Sequence, residues 1–145
     1  MNTNQIGNLG ELKVIEKCLE NDISVFTPFG DGNVVDLILI VNGHCVKAQV
    51  KSSMLNDDGK LSFSTRSTAS KRTGEKVHKY TKEDIDVFFF YSYVYDEVYC
   101  MRVEDAPTSG IYLRHEEPKH FTSKVHYTKD YPFEKIFEYF PGSIV

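Results

Sequence analysis

Residues 34–53 read VVDLILIVNGHCVKAQVKSS, and this stretch decides the fold. The Asn-Gly pair at 42–43 is the strongest short-range signal for a two-residue turn, because both turn positions need a positive φ. Counting back from the turn along both arms places Asp36 directly opposite Gln49. The stretch therefore predicts a β-hairpin with largely apolar arms.

Three polar residues, Asp36, Gln49 and Lys51, interrupt these apolar arms. Because side chains alternate between the two faces of a strand, Lys51 shares a face with Gln49, and Asp36 joins them as the opposed residue. Buried polar groups need partners, so the three groups are predicted to converge on one small volume. The alternative is a plain salt bridge between Asp36 and Lys51, worth about 1 kcal/mol or less. The other face is predicted to be the core face and carries Val35, Leu37, Leu39, Val41, Val46, Ala48 and Val50.

Length and composition favour one domain of a protein that is not secreted and is cytoplasmic, or else organellar or nucleoid-associated. The chain has 145 residues, no apolar run of membrane-spanning length, and a polar N-terminus that does not resemble a leader peptide. Its three cysteines, Cys18, Cys45 and Cys100, lack metal-binding spacing. We expect them to be reduced and buried.

The net charge of −4 is unevenly distributed. Counting Lys and Arg against Asp and Glu, residues 1–59 carry 4 and 8, residues 60–82 carry 7 and 1, residues 83–117 carry 2 and 9, and residues 118–145 carry 4 and 3. The basic segment also contains interleaved Ser and Thr, a mixture typical of phosphate contacts. A solvated loop is the alternative, but the position directly after the polar hairpin favours a DNA partner.

The remaining pattern predicts a mixed sheet with flanking helices. A first helix is expected over residues 4–20, because Ile6, Leu9, Leu12, Ile15 and Leu19 have helical spacing. Strands are predicted at residues 23–28, 34–41, 44–53 and 61–66, with two more in DVFFFYSYVYDEVYCMRV at 86–103. Residues 68–82 are predicted to form a short helix or an ordered loop, and residues 132–140 a short helix opened by proline.

Glu11 lies on the predicted first helix, close to its apolar stripe. A glutamate at such a position is commonly solvated. Its interest lies in the order along the chain: an acid on an N-terminal helix, Asp36 on a strand, then QVK at 49–51 on the next strand.

That order resembles the PD-(D/E)xK nuclease superfamily. Within it, GNLGE at 7–11, the hairpin, and YTKEDIDVFFFY at 80–91 are most similar to group I intron-encoded homing endonucleases. Those enzymes are similar in fold to archaeal Holliday junction resolvases. The resemblance covers residues 5–105 and implies a restriction-endonuclease-like α/β core, with residues 106–145 as a C-terminal extension of the same domain.

The resemblance implies Mg²⁺-dependent hydrolysis of DNA phosphodiester bonds that leaves a 5′-phosphate. Mg²⁺ prefers oxygen ligands. Asp36 would be the central ligand, joined by the side-chain carbonyl of Gln49 and the main-chain carbonyl of Val50. Lys51 would lie beside the attacking water and lower its pKa or stabilise the developing negative charge. Glu11 would orient that water or help to hold a second cation.

Two positions depart from the family pattern. Val35 stands where the signature has proline, and Gln49 replaces the usual second acid. Because an amide oxygen attracts a hard cation less than a carboxylate does, we expect weak metal binding until the DNA phosphate arrives. Mn²⁺ is expected to substitute for Mg²⁺.

Cutting both strands of double-stranded DNA requires two sites, so a homodimer is the minimum, and the resemblance implies a homotetramer. The aromatic residues of FFFYSYVY at 88–95 and the C-terminal helix would make subunit contacts, or these aromatic residues would fill the core. The residues expected to contact phosphates are Lys71, Arg72, Lys76 and Lys79, and Arg66 is expected to read a base through its bidentate fork.

Other functions remain open from the sequence. A Holliday junction resolvase or a restriction-type nuclease would use the same polar cluster on a different substrate. A non-catalytic DNA-binding or assembly domain would keep the hairpin for packing alone. A serine or cysteine hydrolase is disfavoured, because no Gly-x-Ser-x-Gly motif is present.

Overall fold

The computed structural model describes residues 1–54, 59–68, 77–120 and 124–142. The main sheet has five strands and is mixed, because the strand His44–Ser53 runs antiparallel to Leu37–Val41 and parallel to Val87–Ser92. In spatial order these strands are β1 (Ser24–Phe26), β2 (Leu37–Val41), β3 (His44–Ser53), β7 (Val87–Ser92) and β8 (Glu97–Arg102).

The hairpin between β2 and β3 forms around the predicted turn. Asn42 and Gly43 have φ values of 48° and 82°, as a two-residue turn of this type requires. Val41 pairs with His44, and this register continues as far as Leu37, which pairs with Ala48. The predicted hairpin register is therefore confirmed over the paired part of β2.

Helix α1 (Thr3–Glu20) covers one face of the main sheet. It begins with a capping box, in which Asn2 and Gln5 satisfy each other's backbone N–H groups. The predicted apolar stripe is wrong in part, since Leu12 and Leu19 are 61% and 65% exposed. The buried positions are instead Ile6, Gly10, Val14 and Cys18.

The buried face of α1 differs from the predicted apolar stripe because Gly10 makes a close contact with the sheet. A Cβ at Gly10 would overlap Ser52 Oγ and lie 3.3 Å from Tyr91 Cβ. The helix therefore turns its smallest residue towards β3 and β7, which brings the two backbones together. The next residue along the helix is Glu11.

The opposite face of the main sheet is covered by a second layer. A three-stranded sheet contains β4 (Lys60–Ser64), β9 (Gly110–Arg114) and β10 (His126–Tyr127), and a separate two-stranded ribbon pairs β5 (Arg66–Thr68) with β6 (Val77–Lys79). The single strand predicted at 61–66 is interrupted at Thr65, whose hydroxyl donates to Pro107 O at 2.5 Å. Residues 68–82, predicted to form a short helix or an ordered loop, include the strand β6 instead where the structure describes them.

Two apolar clusters form the core, one on each face of the main sheet. The helix-side cluster includes Val14, Leu39, Val46 and Phe89. The second cluster includes Leu61, Phe63, Tyr80, Ile85, Phe88, Phe90, Ile111 and Leu113. Side chains 88–91 of β7 are almost fully buried, so these aromatic residues fill the core.

Several expectations need correction. Helix α2 (Lys135–Tyr139) is shorter than predicted, because Pro132 instead forms a β-bridge with Tyr99. Cys18 and Cys100 are buried free thiols, but Cys45 is exposed, since it lies near the hairpin tip on the face opposite the helices. Among the described residues, no helix is long and apolar enough to cross a membrane.

Candidate active site

A notch opens in the main sheet where β2 begins. The backbone N–H of Asp36 donates to Ala48 O at 2.9 Å, although Ala48 is already paired with Leu37. Two residues on one strand thus oppose one residue on the other, which is the pattern of a β-bulge. Asp36 is therefore not paired opposite Gln49 as predicted. Val35 packs against the second cluster rather than on the predicted face.

The Asp36 carboxylate lies along the edge of β3. Its Oδ2 accepts a hydrogen bond of 2.9 Å from the backbone N–H of Val50. A strand N–H points in the plane of the sheet, so the carboxylate occupies the position that the carbonyl of a paired strand would take. The carbonyl of Val50 points to the same side of β3 as its N–H and faces the same notch.

Gln49 and Lys51 reach the notch from the face that carries the second cluster. Their neighbours on β7 are Phe88 and Phe90, which belong to that cluster. The Gln49 side chain is 8% exposed, and its Nε2 donates to Val34 O at 2.5 Å. This bond uses the nitrogen end of the amide and leaves the oxygen end as a candidate ligand.

Glu11 approaches from the opposite face, on α1. It is half-buried, and its pKa is raised by burial and by the negative charge of Asp36. The two carboxylates therefore lie within electrostatic range of each other. The close contact at Gly10 explains why a helix residue comes so near to the edge of the sheet.

Burial dominates the electrostatics of the remaining two charges. It raises the pKa of Asp36, against the lowering effects of the Val50 hydrogen bond and the Lys51 charge. Burial also lowers the pKa of Lys51, against the raising effect of Asp36. Two carboxylates thus face one ammonium in a half-buried site, an arrangement that a bound cation would stabilise.

The donors at the notch suit a hard cation. They are the carboxylates of Asp36 and Glu11, the amide oxygen of Gln49 and the main-chain oxygen of Val50, and oxygen is the ligand type that Mg²⁺ prefers. Within the described ranges, no three His, Cys, Asp or Glu side chains cluster closely enough to hold a metal. A cation at the notch would therefore depend on the neutral oxygens and on substrate phosphate.

Tyr80 is a residue of this site that the sequence reading missed. It is 6% exposed, and the Lys51 Nζ lies 5.3 Å from the centroid of its ring. Burial raises the pKa of Tyr80, against the lowering effect of a side-chain hydrogen bond with Ser67, and the negative charge of Asp36 raises it further. The charge of the basic segment does not single out Tyr80, and the one sequence signal for it is an aromatic residue among lysines.

The expected DNA-contact residues fall in two groups. Arg66 and Lys79 are exposed and directly opposite each other on the β5–β6 ribbon. The carbonyl oxygen of Arg66 lies 3.5 Å from the Lys51 Nζ, so the base of the ribbon adjoins the notch. Lys71, Arg72 and Lys76 lie outside the described residues.

Comparison with known proteins defines the class. A sequence model described as PD-(D/E)XK endonuclease matches residues 1–134. The chain belongs to this family and is therefore an endonuclease, a class that acts on DNA and generally uses divalent metal ions. No curated protein sequence matches the chain.

The fold is also that of a solved structure, a bacterial homing endonuclease named I-Ssp6803I. The two chains superpose with a TM-score of 0.79 at 24% sequence identity, over 96% of this chain and 94% of the other. The predicted α/β fold, with a mixed central sheet flanked by helices, is confirmed, as is the resemblance on which it was based.

Proposed function

We propose that this chain is a Mg²⁺-dependent homing endonuclease that hydrolyses phosphodiester bonds in double-stranded DNA, with Mn²⁺ able to replace Mg²⁺. One observation carries the proposal: at the notch beside β3, Asp36 lies in the plane of the sheet, while Glu11 and Lys51 approach from its two faces. A simple salt bridge between strands would not need the second carboxylate.

Asp36, the amide oxygen of Gln49 and the carbonyl oxygen of Val50 would hold the metal, and Glu11 would either help to hold a second cation or orient the attacking water. When bound, the ion supplies positive charge that polarises the scissile phosphate. The bulge at Asp36 supports this assignment, because it leaves the edge of β3 open to a ligand.

Lys51 would act directly on the reacting phosphate. Its ammonium is placed beside the notch and stabilises the negative charge that builds on the phosphate oxygens during attack. The Glu11 carboxylate accepts a hydrogen bond from the attacking water and aligns it with the phosphorus. The product would carry a 5′-phosphate.

The DNA would lie across the β5–β6 ribbon. Arg66 and Lys79 are like charges in directly opposed positions, a destabilising arrangement that a phosphate between them would relieve. Lys71, Arg72 and Lys76 would add phosphate contacts, and Arg66 would also reach a base edge. Because one site cuts one strand, the active form would be at least a homodimer, and we propose a homotetramer.

Two lysines on the same face of β3 provide a matched test. Lys51 and Lys47 each reach a main-chain carbonyl, Arg66 O at 3.5 Å and Glu83 O at 2.7 Å. The protein is incubated with a plasmid library that contains random inserts and with Mg²⁺, and the cleaved ends are sequenced. Binding to the selected target is then measured in Ca²⁺.

We expect K51M to bind the target like the wild type but to cut it about 100- to 1,000-fold more slowly. K47M should cut normally. The proposal fails if the wild type makes no metal-dependent cut, which is the result expected of a non-catalytic DNA-binding domain. A preference for four-way junctions over the linear target would identify a resolvase instead.

A further inference from the structure

Lys51 lies at the meeting point of three parts of the fold. Its backbone belongs to β3, its Nζ lies 3.5 Å from Arg66 O on the ribbon, and the same Nζ lies 5.3 Å from the ring centroid of Tyr80. A lysine side chain is flexible, so an ammonium that must meet one phosphate oxygen needs neighbours that limit its rotamers. The ring and the carbonyl are those neighbours.

Tyr80 is itself firmly held. Its ring packs edge-on against Phe88, with centroids 5.4 Å apart and an interplanar angle of 87°. Phe88 stacks in turn on Phe90, at 5.5 Å and 13°. Since Phe88 and Phe90 are the β7 neighbours of Gln49 and Lys51, one aromatic row supports the side chains on this face of the notch.

The hydroxyl end of Tyr80 contacts a different element. It forms a hydrogen bond with Ser67 of β5, the residue after Arg66. Tyr80 also follows Lys79, the last residue of β6, so it lies at the base of the ribbon. A single buried side chain thus contacts both the ammonium of Lys51 and the strand that carries Arg66.

We infer that Tyr80 is a positioning residue for the nuclease reaction: its ring holds the Lys51 ammonium towards the notch, and its hydroxyl keeps the base of the β5–β6 ribbon in register with it. The inference rests on the proposed function. The ring attracts the cation through its π-face, an interaction that strengthens where water is excluded. DNA bound on the ribbon would then meet a Lys51 that is already oriented.

Three variants separate the ring, the hydroxyl and general loss of core packing. Y80F keeps the ring and removes the hydroxyl, whereas Y80L removes both. F63L is the matched control, because Phe63 is 3% exposed in the same cluster and packs on Phe90 at 4.8 Å. The readouts are the single-turnover cutting rate with Mg²⁺, the DNA Kd with Ca²⁺, and the NMR shifts of the Lys51 ε-methylene.

We expect Y80L to cut about 10- to 30-fold more slowly, equivalent to about 1.4 to 2 kcal/mol, with its Kd almost unchanged. The upfield ring-current shift of the Lys51 ε-methylene should disappear in Y80L and persist in Y80F and F63L. Y80F should restore most of the cutting rate. F63L should lose stability but keep its rate.

Three outcomes would overturn the inference alone: an unchanged Lys51 ε-methylene shift in Y80L, a rate in F63L that falls as far as that of Y80L, or a rate in Y80F as low as that of Y80L. If the wild-type protein shows no metal-dependent cutting, it is the proposed function that is wrong. The NMR shift separates these cases, because it does not depend on cleavage.

Discussion

Two aspartates bind the opposite edges of β3 in almost the same way. Asp36 accepts a hydrogen bond from the Val50 N–H at 2.9 Å, and Asp86 accepts one from the Lys47 N–H at 2.8 Å. Each stands one residue before a buried strand, β2 or β7. Judged from this bond alone, the two carboxylates have the same structural role.

Their surroundings differ. Around Asp86 the edge is closed, because its N–H donates to Lys47 O at 2.8 Å and its C=O accepts from Val103 N–H at 3.0 Å. Around Asp36 none of the described strands pairs with this edge of β3 beyond the bulge, and the charges of Glu11 and Lys51 lie within range. A carboxylate that accepts a hydrogen bond from a strand N–H has a structural role in both places. Only at Asp36, where the edge is open and other charges converge, is the carboxylate also a candidate metal ligand.

The largest expected effect comes from exchanging each aspartate for asparagine, which can still accept the backbone hydrogen bond. D36N should slow DNA cutting about 1,000-fold or more, because it would remove the anionic group that we propose as the central metal ligand. D86N should cut normally. Single-turnover assays with Mg²⁺ measure the difference, and equal losses in the two variants would show that the edges do not differ in function.

The variants D36N and D86N should also differ in stability, but here D36N should be the more stable of the two. D36N should unfold at a higher urea concentration than the wild type at pH 7, because burial disfavours the charged form of Asp36. D86N should lose about 1 kcal/mol, because its hydrogen bond is no longer to a charged group. Urea unfolding with EDTA present checks both.

A smaller effect is expected from the two glycines of α1. G10A should cost about 1 to 3 kcal/mol and lower the cutting rate about tenfold, because the new Cβ overlaps Ser52 Oγ and moves Glu11 away from the notch. G7A should instead gain about 0.5 to 1 kcal/mol, since no described atom lies within 4 Å of the added methyl group.

A second substitution tests whether the losses in G10A come from the steric overlap or from a change in the helix itself. Adding S52A to G10A removes the overlapping oxygen, which among the described side chains is buried without a hydrogen-bond partner. The double variant should recover part of both the stability and the rate. If it recovers neither, the close contact does not position Glu11.

The parts of the site that lie near one another along the chain could be predicted. The Asn-Gly turn determines the hairpin register, and alternation along β3 then places Gln49 and Lys51 on one face. These inferences need only local geometry. The order of Glu11, Asp36 and Lys51 along the chain indicates the nuclease family, which the comparisons confirm.

The remaining parts depend on contacts that local pattern does not contain. The bulge at Asp36, whose N–H bonds to the Ala48 that already pairs with Leu37, turns Val35 to the opposite face, and regular alternation does not predict such an extra residue. The buried face of α1 depends on Gly10, where the absence of a side chain outweighs the apolar stripe. Tyr80 reaches Lys51 only through the second layer.

The smallest effect concerns how stability varies with pH. The pKa values of Glu11 and Asp36 are both raised on folding, from ordinary values of 4.5 and 3.8. The folded state therefore keeps these protons to a higher pH than the unfolded state does. The stabilisation from the protonated forms is present at low pH and is lost as the pH rises through the raised pKa values.

The double variant E11Q/D36N has no carboxyl groups at these two positions, so it should not lose this stability as the pH rises. Without metal, its advantage in unfolding free energy over the wild type should grow from about pH 4 upward and level off above the raised pKa values. An advantage that shrinks as the pH rises would mean that the notch stabilises its carboxylates in the charged form, and the open edge would then have no need of a cation.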